Sequence, residues 1–168
     1  LGANLGGGGK LSRYCRLFGK PLAQAYRGVS GHFLEGMRET LLRPEWTTSE
    51  GDWSYLSNLF ASYFARVHDA DPLNQMLYID SKTWLPDDLL IKADKMTMAA
   101  SVELRVPFLD HRLVEFAATL PTEYKIRGRT TKYLLKQVVD PYLPREIIHR
   151  PKKGFPVPVA TWFRGGGL

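Results

Sequence analysis

Apolar and aromatic side chains recur at three- and four-residue spacings along most of this chain, and prolines and glycines cut the pattern into short segments. Residues 11 to 43 carry Leu17, Phe18, Leu22, Ala25 and Tyr26 at helical intervals, with breaks at Gly19-Lys20-Pro21 and between Gly28 and Gly31. Phe33, Leu34, Met37, Leu41 and Leu42 extend the pattern to Arg43, where Pro44 disfavours helix in the residue before it. After a polar stretch from Glu45 to Asp52, the spacing predicts a helix over Trp53 to Val67, with Leu56, Leu59, Phe60, Tyr63 and Phe64 on one side. Asp71 followed by Pro72 reads as a cap and first turn for a helix carrying Leu73, Met76, Leu77 and Ile79.

The best-defined helix is expected from Pro86 to about Ser101, with Asp87 and Asp88 at the positive end of its dipole. Pro107 blocks its continuation, and Glu103 to Phe108 reads as extended. Asp110 is placed to cap a helix through Leu120, with Leu113, Phe116, Ala117 and Leu120 toward the core. Thr130 to Val139 is read as a further helix, and the prolines and Gly154 beyond Arg150 as a loop. The pattern holds few convincing strands and no internal repeat, so the fold class is mainly α.

Composition narrows this picture. The 168 residues suffice for one domain with a core, and 44% hydrophobic against 24% charged residues fits a globular, soluble chain. No apolar run reaches membrane-span length, and the opening LGANLGGGGK lacks the apolar core of a secretory signal. The lone Cys15 fits a reducing, cytoplasmic setting. Gly6 to Gly9 and Gly165 to Gly167 read as a linker or junction, 1–10, and a tail, 165–168. A helical lead-in, 11–52, and a main segment, 53–164, lie between. The net charge of +6 suits an anionic ligand, though no nucleic-acid motif accompanies it.

Two clusters stand out as chemistry. Asp88 and Lys92 are four apart, with Lys95 a turn on, while Asp87, Ile91, Asp94 and Met98 form the adjacent stripe. A solvated face with ion pairs of about 0.3–0.5 kcal/mol each is the plain account; an acidic helix start that orients a cation or a reacting amine is the functional one. Glu103 and Arg105 would share a side of an extended stretch, either as a buried pair holding the loop or with Arg105 or Asp110 on a polar substrate. Arg150-Pro151-Lys152-Lys153-Gly154 is a stiffened basic loop suited to phosphate oxygens, to which Lys132 could add a cation. No G-x-x-x-x-G-K-[ST] loop, metal-ligand spacing or cysteine nucleophile with a base partner is visible.

The segments DDLLIKADKMTMAASVELRVPFLDHR, KYLLK and RPKKGF together resemble the C-terminal part of the synthetase domain of glutamine-hydrolysing asparagine synthetases, over roughly residues 53 to 164. The resemblance implies the helical C-terminal portion of an α/β adenine-nucleotide α-hydrolase-like (PP-loop) domain. It implies ATP with Mg2+, aspartate or a similar acid activated as an acyl-adenylate, and ammonia from a glutaminase domain.

By the same resemblance Lys152 stabilises the charged species and Asp88, ahead of Asp87, lies near the amine. Glu103, Arg105 and Asp110 mainly hold the site together, and Lys132, Arg150, Lys153 and Gly154 support intermediate binding. The family's S-G-G-x-D-S loop and N-terminal cysteine are missing from the sequence. The chain is therefore expected to need the PP-loop part and the glutaminase domain as partners, and homo-oligomerisation stays open. A related acyl-adenylate synthetase closing amides or lactams, and a non-catalytic helical module binding a partner domain, are the alternatives.

Overall fold

The computed structural model describes residues 19–29, 41, 43, 51–151 and 159–164. Most of the lead-in and the Lys152-Lys153-Gly154 loop lie outside them. The chain divides into two compact units, with the boundary after Thr122.

The first unit is helical. A short α1, Leu22–Ala25, packs on α2, Gly51–Ala65, which packs in turn on α3, Pro72–Lys82. Phe64 of α2 and Ile79 of α3 are the two buried apolar side chains among the described residues. The Tyr63 and Tyr78 rings meet edge to face at 6.4 Å. The Arg27 guanidinium lies over the Phe60 ring at 5.4 Å. Asp71 caps α3 as expected, its Oδ1 accepting from Leu73 N and Asn74 N at 3.0 and 3.1 Å, with Pro72 opening the first turn.

The next helix departs from the expected simple α-helix starting at Pro86. Leu85–Leu90 is a π-helical turn, and it runs into α4, Ile91–Met98. The helix closes earlier than Ser101, because Ser101 itself takes a left-handed conformation, φ 56°. Val102 N donates to Thr97 O at 3.0 Å, the six-to-one bond that ends a helix in a reversal. The chain then doubles back without regular structure through Val106 and makes a 3-10 turn at Pro107–Leu109, so Phe108 is not extended.

Asp110 caps α5, His111–Thr119, through Oδ1 on Arg112 N at 3.0 Å. The stripe expected to face a core does not do so here: Leu113 is 41% and Phe116 54% exposed. Amphipathic spacing marks a face that needs covering, and no described residue of this unit buries it.

The second unit begins inside the short α6, Thr122–Lys125, and continues into a two-stranded antiparallel hairpin, β1, Ile126–Arg127, and β2, Thr130–Thr131. Thr130 and Thr131 are therefore strand rather than the start of a helix. Gly128, φ 58°, takes the first central place of a two-residue hairpin loop, a place that favours glycine in a type II′ turn. The helix follows as α7, Tyr133–Val139, after Lys132 in a left-handed conformation. Two further helices, α8, Arg145–Ile148, and α9, Val159–Arg164, complete the described chain. The second of these replaces part of the loop expected beyond Arg150. No helix among the described residues is long and apolar enough to cross a membrane.

Candidate functional site

The acidic helix start is the most organised of the expected sites. Trp84, Asp88 and Lys92 stand four residues apart on one row of the helix. Lys92 Nζ lies 2.6 Å from Asp88 Oδ1, and Trp84 Nε1 donates to Asp88 Oδ2 at 3.0 Å. One carboxylate is thus held at both oxygens, by a cation on one side and an indole N–H on the other. Asp88 and Trp84 are half-buried, whereas Asp87 is exposed and uses its backbone N–H on Thr83 O at 3.0 Å. The geometry separates two adjacent carboxylates that the sequence leaves nearly equivalent.

The Ser101 reversal returns the next segment to this helix. Leu85, Leu89, Leu90 and Ala93 face Leu104 to Leu109 across an open groove of about 420 Å³ with a mostly apolar lining. Arg105 lies on the groove, and its NH2 pairs with Glu103 Oε1 at 2.7 Å. The pairing matches the expected shared side, but the pair is not buried: the two side chains are 81% and 68% exposed. At that exposure the bridge is a surface contact and not a buried strut. Asp110 adds a 3.4 Å contact to Arg112 Nε beside its capping bond.

Behind the helix start, Asp80 makes a clasp that sequence reasoning missed. Its Oδ2 accepts from Tyr26 Oη at 2.7 Å and its Oδ1 from Val29 N at 3.0 Å, fastening the segment after α1 to the end of α3. Gly28 between them sits at φ 80°, and a Cβ there would lie 3.4 Å from Asp80 Oδ1 and Thr83 Oγ1. The cue in the sequence was a tyrosine and a glycine within a broken helix pattern, which names no partner.

In the second unit, Lys132 and Arg150 are exposed. Lys152, Lys153 and Gly154 lie outside the described residues. The hairpin adds an unforeseen cation: Arg127 stacks on the Tyr133 ring at 5.1 Å and donates from NH1 to Tyr133 Oη at 2.7 Å. These two residues, with Glu123 and Tyr124, line a pocket of about 260 Å³.

The described residues do not fit a magnesium–ATP site. Among them no three His, Cys, Asp or Glu side chains gather as metal ligands, and the better-held carboxylate, Asp88, is already paired with Lys92. The first unit supplies an oriented carboxylate beside an apolar groove, and the second supplies exposed cations. Such groups can position an amine and meet phosphate oxygens, provided a nucleotide-binding layer is furnished from elsewhere.

Comparison with known proteins identifies the family. An asparagine synthetase homologue of Mycobacterium bovis is 43% identical over 150 residues, covering 88% of this chain and 22% of its own. Asparagine synthetase (glutamine-hydrolyzing) 1 of Bacillus subtilis is 39% identical over 144 residues, covering 86% and 22%. Amidase chyE of Penicillium rubens is 33% identical over 135 residues, covering 73% and 20%. No solved structure matches. The chain spans about a fifth of the length of these relatives. The family model for asparagine synthase matches residues 9–168, so this mainly helical chain belongs to the asparagine synthase family as a C-terminal part of its PP-loop synthetase domain.

Proposed function

We propose that this chain is the helical C-terminal part of a cytoplasmic, ATP-dependent ligase that forms an amide, asparagine or a close analogue. The observation that carries the reading is the family match over residues 9–168, joined to the doubly held Asp88 carboxylate at the helix start. The PP-loop part supplies the nucleotide site, activates the side-chain carboxylate of aspartate or a similar acid as an acyl-adenylate and releases pyrophosphate. A glutaminase domain supplies ammonia. The chain by itself is not competent for the whole reaction.

Within that scheme Asp88 is the negative charge beside the incoming amine, with Asp87 on the exposed side of the same turn. Glu103, Arg105 and Asp110 shape the loop that forms the groove. Lys152 stabilises the charge that collects on the reacting phosphate, and Arg150, Lys153, Lys132 and the permissive Gly154 support its loop. A preorganised donor of this kind is worth about 2.7–4 kcal/mol. With the rest of the synthetase present, Lys152→Ala is expected to slow pyrophosphate release by roughly 10²–10³-fold. Release at the unsubstituted rate overturns the assignment.

The similarity to an amidase favours a second reading, in which the same scaffold serves a different acid or amine. Mass analysis of products formed with aspartate, and with other acids in its place, separates the two.

A further inference from the structure

We infer that Trp84 is a positioning residue for Asp88, holding it across a π-helical turn. The inference rests on the reading of Asp88 given above. Three observations carry it.

First, the contact is specific. The indole N–H has a single donor, and it is aimed at Asp88 Oδ2 at 3.0 Å, while Lys92 Nζ takes Oδ1 at 2.6 Å. With both oxygens engaged, the carboxylate plane is fixed and rotation about its last torsion is closed off. Lys92 is 64% exposed at its side chain, so its long stem cannot fix that plane unaided. Trp84 is half-buried and rigid, with two side-chain torsions, and is the better anchor.

Second, the backbone between donor and acceptor is unusual. Leu85–Leu90 is π-helical, with Pro86 near its start, so the row running from Trp84 to Asp88 crosses a widened turn. π-Turns are rare and are frequently found at functional sites. Here the turn carries both carboxylates, Asp88 bonded to Trp84 and half-buried and Asp87 exposed.

Third, the neighbourhood suits an oriented carboxylate. Leu85, Leu89 and Leu90 from the same turn line the open apolar groove, so the oriented carboxylate stands on the helix that forms one of its walls.

The test is a double-mutant cycle on ammonia-dependent amide formation, with the rest of the synthetase present. The variants are Trp84→Phe, Asp88→Asn and the pair together. Trp84→Phe keeps the ring and removes the donor. Its turnover is expected to fall roughly tenfold, in line with loss of a hydrogen bond to a charged group. KM for ATP and the rate of acyl-adenylate formation should hold. In the Asp88→Asn background the same change should cost almost nothing, since the negative charge that the indole orients toward the amine is already gone.

Circular dichroism and thermal unfolding of each variant identify any loss that is only misfolding. Should Trp84→Phe cost the same factor in both backgrounds, its role is structural and the inference fails. Should Asp88→Asn impair turnover while Trp84→Phe does not, the inference fails and the reading of Asp88 stands. Should Asp88→Asn leave turnover intact, the reading of Asp88 fails first and the inference with it.

Discussion

Thr122 Oγ1 donates a 2.6 Å hydrogen bond to Asp71 Oδ1 across 51 residues of sequence. The same oxygen accepts the Leu73 and Asn74 amides that begin α3, and Asp71 Oδ2 takes the Asn74 side-chain amide. A helix cap is thus also the point where the first unit closes on its own last residue. The Thr122 hydroxyl, followed by the Asn74 and Leu73 donors, holds the Asp71 carboxyl below the usual aspartate range against the opposing pull of burial.

This depression fixes the sign of an acid response. Asp71 binds its proton less readily folded than unfolded, so its contribution is complete above the unfolded pKa of about 3.9 and is lost as pH falls through the folded value. Thr122→Val removes the largest cause of the shift. At neutral pH the variant should be less stable by about 1 kcal/mol. The gap should narrow as pH falls below the Asp71 value. Denaturant titrations across that range measure it, and a gap that stays constant with pH would show that Thr122 acts by packing instead.

Gly28 gives a second prediction, on stability. Its φ of 80° lies where an L side chain is strained, and the space beside it is bounded by Asp80 Oδ1 and Thr83 Oγ1 at 3.4 Å. Gly28→Ala should cost about 1–2 kcal/mol from backbone strain, with the added methyl in van der Waals contact with the Asp80 clasp. Gly128→Ala, where nothing lies within 4 Å of the new carbon, should show the strain without that contact. Thermal melts of the two variants separate the effects. Equal losses would mean that the Asp80 contact does not add to the cost.

What could be read from the sequence was local. Asp71-Pro72 and Asp110 announce their helices because a cap needs only the next three residues. The Asp88–Lys92 pair follows from four-residue spacing alone. Trp84 stands on the same row and was equally visible, yet an aromatic residue in a helix pattern reads first as core.

Contacts that close long loops left no such trace. Neither Asp71 nor Thr122 predicts the other, and Asp80 gives no sign of Tyr26, 54 residues away. The hairpin was missed because the Tyr133–Val139 period runs back over Thr130 and Thr131, although both are β-branched and follow a glycine-led turn. The α5 stripe was read correctly as a face and wrongly as covered, since periodicity does not say what packs on it. Lys152, central to the expected chemistry, lies outside the described residues, and its weight rests on the family motif.

Glu103 and Arg105 offer a third prediction, from salt dependence. A 2.7 Å bridge with side chains 68% and 81% exposed should be worth about 0.2–1 kcal/mol and be screened by salt. Glu103→Gln should therefore shift the unfolding midpoint of this chain little, and less at high ionic strength. A loss of several kcal/mol, unaffected by salt, would mean that the pair is desolvated, as it would be if another layer covered the loop.

Asp110 separates capping from charge. Its Oδ1 satisfies the Arg112 amide at 3.0 Å, a bond that an asparagine oxygen can replace, while the 3.4 Å contact to Arg112 Nε is an exposed ion pair of small value. Asp110→Ala should lose about 1 kcal/mol of stability as α5 loses its cap, and Asp110→Asn only a few tenths. Turnover with the rest of the synthetase present then decides its part in the site. If Asp110 only shapes the loop beside the groove, Asp110→Asn keeps activity and Asp110→Ala loses it in step with stability. If instead Asp110→Asn is stable but inactive, the negative charge itself meets substrate, and Asp110 joins Asp88 among the groups proposed to meet the reacting amine.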